Sequence, residues 1–544
     1  MICARRKGFG DLKLDSESAR CLIQRRPVEN KTSNPVGRNA SDAFLGLSVC
    51  YLGLPNILFL LTWVRPAIGI PAALLVGWSC LRVAFAHREP SPSQTTLDTR
   101  TLVFVISAGL IWTTLAGAGG LVPQSADYPE HNLIFHDLAH EKWPVIYDIA
   151  GRGRFYFCYC VGYYLIPSLA AHFLGDSLLP VLTFAWTATG VCLFFYWIAT
   201  LNKASKRFLV LVLFYAGTGV LWYLFKQEKI PGLPRMHDPS LADRLTAEGL
   251  IHSYLDFSTK FFFTPQHAVA STLATAVLYE MLWIRKNATG AGFVWASALL
   301  WSTLSSLGLL LIPLMAVRRV PWKQWFAAPN ILGGGTLVAI MAIFYHGHLK
   351  LEISGPIWSF PNAKTWPLLY CLFLVTQLLP VVFVALIDKK YGVLKDHRAM
   401  FWGAVAMLAV LPFYRLGFES DLRLQAATPA LIVVALAVGM CLTSEAFSCR
   451  RPLFLALTFL YCVGALYPAA RPVLNLVSNR HDRSYAYLNR TQGVRYLTDL
   501  APEWGYDFAI QYLGRLDSPA YRWLLKRPSG DLSLSREPAG LTDN

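Results

Sequence analysis

Two apolar stretches near the start decide the fold: DAFLGLSVCYLGLPNILFLLTWV at 42–64 and PAIGIPAALLVGWSCLRVAFA at 66–86. Each is close to the length of about 20 residues that an α-helix needs to cross the hydrocarbon core of a bilayer. Their apolar residues are continuous and do not alternate with polar ones, which favours helices over the strands of a barrel. The two stretches therefore predict a pair of membrane-spanning helices joined by a short turn at Arg65.

Similar stretches recur along the whole chain, which has 544 residues, 54% of them hydrophobic and only 15% charged. A soluble chain of this length would need far more charge to cover its surface. The composition therefore predicts an all-α integral membrane protein with about 11–13 transmembrane helices. Besides the first two, clear spans are predicted near 100–122, 178–200, 207–225, 264–285, 327–345, 367–387, 399–413, 425–443 and 452–471.

The basic residues give the predicted orientation. The net charge is +16, and most lysines and arginines lie in short loops between spans, which is typical of cytoplasmic loops. No nucleic-acid-binding motif accompanies them. Residues 1–41 carry nine basic residues and no apolar core, which predicts a disordered cytoplasmic tail before a transmembrane domain at 42–471. The remaining residues, 472–544, are predicted to form a small extracytoplasmic segment.

Two apolar segments, 155–174 and 293–317, are ambiguous, and the charges beside them decide how each is placed. A crossing at 155–174 would put the basic cluster at 203–207 outside. This tyrosine-rich segment is therefore predicted to be a juxtamembrane helix in the interface. Basic residues flank 293–317 on both sides, so both of its ends are predicted in the cytoplasm. The segment then forms a hairpin of two short helices bent around 302–308.

The first large external segment begins at Asp127 and reads DYPEHNLIFHDLAHEKWPVIYD. It combines Asp127, His131 and Asp137, and acidic and imidazole groups beside a membrane suit general base work or metal binding. A polar loop with solvated charges is the alternative. His136 and His140 share one helix face, but no third metal ligand is evident. The 11 cysteines include no CxxC pair and no zinc spacing.

The second external segment ends in FSTKFFFTPQHAVA at 257–270. Pro265 fits the first turn of the following helix, where its missing N–H costs nothing. Gln266 and His267 then lie at an outward-facing helix N-terminus, where free N–H groups and the helix dipole attract phosphate. Lys260 adds positive charge nearby. The alternative is an ordinary helix cap beside a solvated loop.

The third external segment, YRLGFESDLRLQAATPA at 414–430, carries ionisable residues at the mouth of a span. Such groups are costly to bury unless they are paired or functional. Arg415 and Arg423 present planar guanidinium groups that suit phosphate, and Asp421 is a supporting residue. Interfacial ion pairing, with the arginines extended towards water, is the alternative.

These features together resemble the C-type (GT-C) superfamily of polytopic membrane glycosyltransferases. More closely, the chain is similar to a family of bacterial multi-pass membrane proteins of unassigned function. The shared order is an exit span, an external acidic segment, a tyrosine-rich juxtamembrane helix and a span that ends in a basic turn. The matching residues are Asp127, His131, Asn132, Asp137, Leu138, Trp143-Pro144-Val145, Pro265-Gln266-His267-Ala268, Asp421, Leu422, Arg423, Pro429, Tyr512-Leu513-Gly514 and Asp517-Ser518.

The resemblance implies a GT-C-like fold in a bacterial plasma membrane and a transferase that uses a polyprenyl-phosphate-linked sugar. An external glycan, lipid or protein would accept the sugar. Asp127 would act as base or orient a divalent metal ion, with His131 and Asp137 as further catalytic candidates. The donor phosphate would bind the basic and polar residues near the membrane, with Asp421 in support. These candidates are Lys260, Gln266, His267, Arg415 and Arg423.

Two other functions remain open at this stage. A transporter or lipid flippase would also have many spans, although the predicted spans hold few central charges and no inverted repeat. A noncatalytic membrane protein for envelope assembly would need only the external loops as binding surfaces.

Overall fold

The computed structural model describes residues 35–86, 97–125, 127–149, 152–201, 205–218, 254–349, 354–360, 366–417, 420–448, 451–478, 497 and 510–527. The described chain is a bundle of α-helices with a few short strands. The helices are α1 (Pro35–Thr62), α2 (Pro66–Ala86), α3 (Thr99–Leu115), α4 (Tyr128–His140), α5 (Leu165–Leu174), α6 (Leu179–Thr200), α7 (Lys206–Leu213), α8 (Phe257–Phe263), α9 (Pro265–Tyr279), α10 (Ala291–Ser297), α11 (Thr303–Leu309), α12 (Leu311–Ala316), α13 (Trp322–Trp325), α14 (Gly335–His346), α15 (Trp366–Tyr391), α16 (Arg398–Val410), α17 (Asp421–Thr443) and α18 (Pro452–Ser478). The strands are β1 (Ile146–Ile149), β2 (Gly153–Phe157), β3 (Ser354–Pro356), β4 (Tyr414–Leu416) and β5 (Leu513–Arg515).

Within the described residues, eight helices are long and apolar enough to cross a membrane. The chain is therefore an all-α, multi-pass membrane protein, as predicted. The π-helical turn Glu280–Ile284 extends α9, and Pro329–Gly334 leads into α14, so that both reach this length. The eight spans are Ser41–Thr62, Pro66–Phe85, Asp176–Thr200, Pro265–Ile284, Trp322–His346, Trp366–Tyr391, Asp421–Thr443 and Pro452–Val473.

Some predicted spans are shorter than expected, which accounts for the difference from 11–13 spans. The predicted span at 100–122 ends at Leu115, because Gly117 and Gly119 turn the chain with φ angles of 85° and 72°. The predicted span at 207–225 is the eight-residue α7, followed by a non-helical turn; its last part lies outside the described residues. The shorter apolar helices are Thr99–Leu115, Leu165–Leu174, Thr303–Ala316 and Arg398–Phe413.

The helix ends that carry the basic loops meet at one end of the bundle, called here the basic end. Arg285, just after α9, forms an ion pair of 2.7 Å with Asp42 in the first part of α1. Tyr196, near the end of α6, packs its ring on Phe44 of α1 with centroids 3.8 Å apart. These contacts bring the ends of α6 and α9 together at the start of α1.

The chain between α9 and α13 enters the bundle from the basic end and returns to it. Arg319, after α12, lies over the ring of Trp283 at the end of α9, 4.1 Å from its centroid. Midway, Ser302 makes a 2.9 Å hydrogen bond with His267 in the first turn of α9. His267 and Trp283 are roughly 24 Å apart along one helix. Residues 291–316, the re-entrant segment, therefore form the expected hairpin.

The re-entrant segment differs from the prediction in its details. It contains three short helices, α10, α11 and α12, where two were expected. Its turn occupies 298–302, just before the predicted bend at 302–308, because the Ser302 hydroxyl caps α11 by accepting from the Ser305 N–H. The other ambiguous segment, 155–174, does not cross either. It begins as β2 and ends in the ten-residue α5, which packs against α4 through a 2.9 Å bond from Ser168 to the Phe135 carbonyl.

A small antiparallel sheet in the order β1-β2-β5 lies at the end of the bundle opposite the basic end. β5 belongs to the C-terminal segment and pairs with β2. The Cys158 N–H extends this pairing by donating to the Tyr512 carbonyl at 2.7 Å. Lys526 then donates its backbone N–H to Trp63, after the end of α1, at 2.8 Å. These two pairings attach the C-terminal segment to β2 and to the end of α1.

The packing of the re-entrant segment yields a first prediction. A methyl group at Gly308 of α11 would overlap the backbone carbonyl of Ala426 in α17, whereas a methyl group at Gly335 meets open space. We expect Gly308→Ala to destabilise the protein by about 1–3 kcal/mol through overpacking and Gly335→Ala to be tolerated. Thermal unfolding of the two purified variants in detergent measures this. Equal stability of the two variants would refute the close approach of α11 to α17.

The hairpin topology yields a second prediction. Lys286 and Lys323 are exposed on either side of the re-entrant segment, and Asp148 is exposed in β1. In a chain whose native cysteines are replaced by serine, cysteines at 286 and 323 should react with an impermeant maleimide from the same membrane face. A cysteine at 148 should react from the other face. Labelling of 286 and 323 from opposite faces would mean that the segment crosses the membrane.

Candidate functional site

Residues from all three predicted external segments approach one another at the sheet end of the bundle. The connection runs through Tyr159, which follows β2. Its hydroxyl lies 3.3 Å from both Gln266 Nε2 and His267 Nε2, and its ring packs on Tyr512 with centroids 4.6 Å apart. Burial raises the pKa of Tyr159, and electrostatic interactions with Cys160, Glu130 and Asp421 raise it further, whereas the hydrogen bond with Gln266 lowers it. Tyr159 therefore connects the first turn of α9 with the C-terminal segment.

Glu130, in the first turn of α4, reaches this connection through Tyr512. It accepts a 2.5 Å hydrogen bond from the hydroxyl of Tyr512, which the C-terminal segment supplies. Burial raises the pKa of Glu130 to about 8; the Tyr512 hydroxyl lowers it in part, and the charge of Asp127 raises it. Asp127 immediately precedes α4 and is partly exposed. Two carboxyl groups that repel each other in this way favour states in which one of them holds a proton.

His131 links α4 to the start of α9. Its Nδ1 lies 2.9 Å from the Tyr164 hydroxyl and its Nε2 lies 3.0 Å from the carbonyl oxygen of Phe263. Only a nitrogen that bears hydrogen can donate to a carbonyl, so Nε2 carries the hydrogen and Nδ1 accepts from Tyr164. Burial lowers the pKa of His131 to about 4, and the Phe263 carbonyl partly opposes this shift. The ring is neutral, and the protein framework occupies both of its nitrogens.

Asp137 lies on the part of α4 that faces the sheet and is fully buried. Its Oδ2 accepts from the Tyr147 hydroxyl at 2.7 Å and from the Leu497 N–H at 3.0 Å. Its Oδ1 lies 3.4 Å from His136 Nδ1. Burial raises its pKa, and these three groups lower it. Asp137 thus joins α4, β1 and the C-terminal segment, and the structure does not bring it to Tyr159.

The described residues do not offer a built metal site. His136 and His140 stack their rings with centroids 4.0 Å apart, and His140 Nε2 lies 2.7 Å from Asp176. Nowhere in the described ranges do three His, Cys, Asp or Glu side chains form a group that could hold a metal ion. The donor set that a divalent ion prefers, several carboxylates or imidazoles around one point, is therefore not present among them.

Lys260 of α8 is fully buried against α17. Its ammonium group donates to the Leu424 carbonyl and, at 2.6 Å, to the Thr428 hydroxyl. Burial lowers its pKa to about 7, and the charge of Asp256 raises it in part. Two of its three hydrogens therefore hold α8 against the first turns of α17. With a pKa of about 7, this lysine can gain or lose its charge near neutral pH.

Gln266 and His267 occupy the first turn of α9, as predicted, and both are buried. His267 is held between Tyr159, through Nε2, and Ser302 at the tip of the re-entrant segment, through Nδ1. Gln266 donates from Nε2 to Tyr159. The re-entrant segment therefore delivers a residue to the same cluster that the juxtamembrane segment and the C-terminal segment reach.

The third predicted stretch contributes through the start of α17. This helix begins at Asp421, four residues earlier than the predicted span at 425–443, so Asp421 and Arg423 lie in its first turn. Arg423 is fully buried. Burial raises the pKa of Tyr254, and the positive charge of Arg423 partly opposes this shift. Arg415 lies in β4 with its guanidinium 5.4 Å from the centre of the Phe360 ring, and it interacts with the charge of Asp421.

Sequence reasoning missed part of this cluster. Glu130 belongs to the predicted acidic run but lacked a signal that separated it from its neighbours. Tyr159, Ser302 and Tyr512 come from the juxtamembrane segment, the re-entrant segment and the C-terminal segment. The repeated tyrosines of the juxtamembrane segment, the bend at 302–308 and the match at Tyr512 were visible in the sequence, but it did not bring these residues together. Their hydrogen-bond partners are distant in the chain: Tyr159 and His267 are 108 positions apart, and Tyr512 and Glu130 are 382 apart. Ser302 and His267 are 35 positions apart.

Fold and site together define the class: a multi-pass membrane protein with a polar cluster at the end opposite its basic loops. No protein-family model, curated protein or solved structure matches this chain.

The buried carboxyl group of Glu130 yields a third prediction. Its pKa rises from an ordinary 4.5 to about 8 on folding, so the stability it contributes is present below pH 4.5 and is lost as pH rises to 8. Glu130→Gln keeps the neutral form at every pH. We expect its stability advantage over the wild type to grow between pH 5 and pH 8, by at most about 1.4 kcal/mol per pH unit.

Thermal unfolding in detergent from pH 5 to pH 9 measures this advantage. The matched control is Asp148→Asn, because Asp148 is an exposed carboxylate of β1. The difference in stability between Asp148→Asn and the wild type should not change with pH over the same range. A difference for Glu130→Gln that does not change with pH would contradict the burial of this carboxyl group.

Proposed function

We propose that this chain is a membrane glycosyltransferase of the GT-C type. It moves a sugar from a polyprenyl-phosphate-linked donor to a glycan, lipid or protein acceptor on the extracytoplasmic side of a bacterial plasma membrane. The N-terminus then lies in the cytoplasm with the basic end, and the C-terminal segment lies outside. The observation that carries the proposal is a set of contacts at the opposite end. Tyr159 bonds to the first turn of α9 and packs on Tyr512, which bonds to Glu130 of α4. Lys260 of α8 bonds to Thr428 of α17.

The proposed reaction needs a base for the acceptor and positive charge for the leaving group. Asp127, the carboxyl group that immediately precedes α4, takes the proton of the acceptor hydroxyl. The acceptor oxygen attacks the anomeric carbon, and the bond from this carbon to the phosphate oxygen breaks. The electron pair leaves with the polyprenyl phosphate. Lys260, Arg415 and Arg423 stabilise the charge that develops there.

The other predicted catalytic residues have supporting roles in this proposal. His131 fixes the distance between α4 and the start of α9 through its two hydrogen bonds. Asp137 holds α4 to the sheet and to the C-terminal segment. The carboxylate of Asp421 interacts electrostatically with Arg415 and with Tyr159. We derive no step through a metal ion, because the described side chains do not fit one.

The lipid nature of the donor fits the position of this cluster. The basic residues assigned to the phosphate lie in α8, in β4 and in the first turn of α17, at or just before the starts of the spans Pro265–Ile284 and Asp421–Thr443. A phosphate held there leaves the polyprenyl chain in the bilayer and places the sugar among the residues around Tyr159. A transported solute would instead need polar groups along the middle of the spans.

A fourth prediction tests the proposed base. Asp127→Asn removes the proton acceptor with little change in shape, and we expect transfer to fall by about 10²–10⁴-fold. Envelope glycans of cells that carry only the variant, analysed by mass spectrometry, should match those of a full deletion. Asp148→Asn is the control for loss of an exposed carboxylate and should leave the glycans unchanged.

Two outcomes separate this proposal from the other functions. Wild-type glycans in both the Asp127→Asn strain and the deletion strain would remove the glycosyltransferase function. Uptake of a labelled solute into vesicles that Arg423→Ala abolishes and Asp127→Asn leaves intact would favour a transporter. A scaffold would tolerate both substitutions and fail only when its external loops are deleted.

A further inference from the structure

We propose that Gln266 binds a hydroxyl group of the sugar, and that it does not bind the donor phosphate. The inference rests on the proposed function and narrows it, because it separates a sugar subsite from the phosphate subsite. The key observation is the state of one atom, the amide oxygen of Gln266. Gln266 is 2% exposed, and its Oε1 is buried with no hydrogen-bond partner in the described part of the chain. A buried amide oxygen in that state costs free energy unless a ligand satisfies it.

The hydrogen-bond network around Gln266 decides which atom of its amide points away from Tyr159. Ser302 donates its hydroxyl hydrogen to Ser305 at 2.7 Å, so towards His267 it can only accept. His267 Nδ1, 2.9 Å away, therefore carries the hydrogen of the neutral ring. His267 Nε2 then has a lone pair and needs a donor.

Tyr159 is the donor for this lone pair, because its hydroxyl lies 3.3 Å from His267 Nε2. Having given its hydrogen to His267, the Tyr159 oxygen can only accept from Gln266. The amide must therefore present Nε2 to Tyr159, at 3.3 Å, and Oε1 to the other side. The reversed amide would place two acceptors, Oε1 and the Tyr159 oxygen, against each other. The direction of every bond from Ser305 to Gln266 is thus fixed.

An amide oxygen accepts hydrogen bonds and does not donate them, which decides the class of ligand. An ionised phosphate also only accepts, so it would face Oε1 without a hydrogen between them. A sugar hydroxyl donates. The same cluster supplies the rings of Tyr159 and Tyr512, 4.6 Å apart between centroids, which is the apolar surface that sugar-binding sites combine with polar groups. The phosphate remains with Lys260, Arg415 and Arg423.

The experiment compares binding of two probes to the purified full-length protein in detergent. One probe is decaprenyl phosphate, and the other is a panel of decaprenyl-phosphate-linked hexoses and pentoses. The variant Gln266→Met keeps the side-chain volume and removes both polar amide atoms. We expect its Kd for the sugar-linked probe that binds the wild type best to rise about tenfold, and its Kd for decaprenyl phosphate to stay within about twofold.

Two further variants complete the design. Lys260→Met should weaken both probes, because it removes charge at the phosphate. Gln324→Met is the matched control at the basic end, where the amide oxygen accepts from the Ala288 N–H, and it should change neither Kd. The melting temperature of each variant without ligand shows whether it is folded.

The outcomes distinguish the inference from the proposed function. If Gln266→Met raises the Kd for the sugar-linked probe alone, the sugar subsite is supported. If Gln266→Met raises the Kd for both probes equally, the sugar subsite is overturned, because Gln266 would then hold the phosphate or the protein framework. The glycosyltransferase proposal would still stand. Unchanged affinity for both probes in Gln266→Met overturns the inference as well. Failure of the wild type to bind any probe overturns both proposals.

Discussion

The hydrogen bond between His267 and Ser302 is the interaction on which the arrangement of the cluster depends. It joins the first turn of α9, the most deeply buried of the spans, to the tip of the re-entrant segment. A broken helix within a membrane leaves backbone groups that lipid cannot satisfy, so its turn must be buried in protein. The turn at 298–302 meets this demand. The Leu300 carbonyl accepts from the Gly162 N–H at 3.1 Å, which brings the juxtamembrane segment to the same place.

The C-terminal segment closes the cluster from the outside. The pairing of β5 with β2 places Tyr512 beside Tyr159 and within reach of Glu130. The isolated pairing of His348 with Gly514 attaches the same strand to the end of α14. A segment that lies far from α4 in the chain therefore supplies one wall of the proposed site. The buried tyrosines also exclude water, which strengthens the hydrogen bonds and charge interactions among these residues.

Much of the bundle was predictable because span length and loop charge are local properties. The spans at 42–64 and 66–86 follow from continuous apolar runs, and the hairpin at 293–317 follows from the basic residues that flank it. The glycines that end α3 at Leu115 carried no such signal, since their effect depends on the approach of Pro180 to Gly119. The length of the predicted span at 207–225 was overestimated, because hydropathy does not reveal where a chain stops being helical.

The sequence by itself determined that this is a membrane bundle, which residues lie at its two ends, and that α9 begins at Pro265 with Gln266 and His267 in its first turn. These conclusions need only the cost of apolar residues in water, of charge in lipid and of proline inside a helix. Only the tertiary structure decided that Glu130, Tyr159, Ser302 and Tyr512 join them and that His131 and Asp137 are hydrogen-bonded to other segments of the chain. Hydrogen bonds between distant segments depend on where each side chain lies to within about 1 Å, and that position is set by packing across the whole bundle.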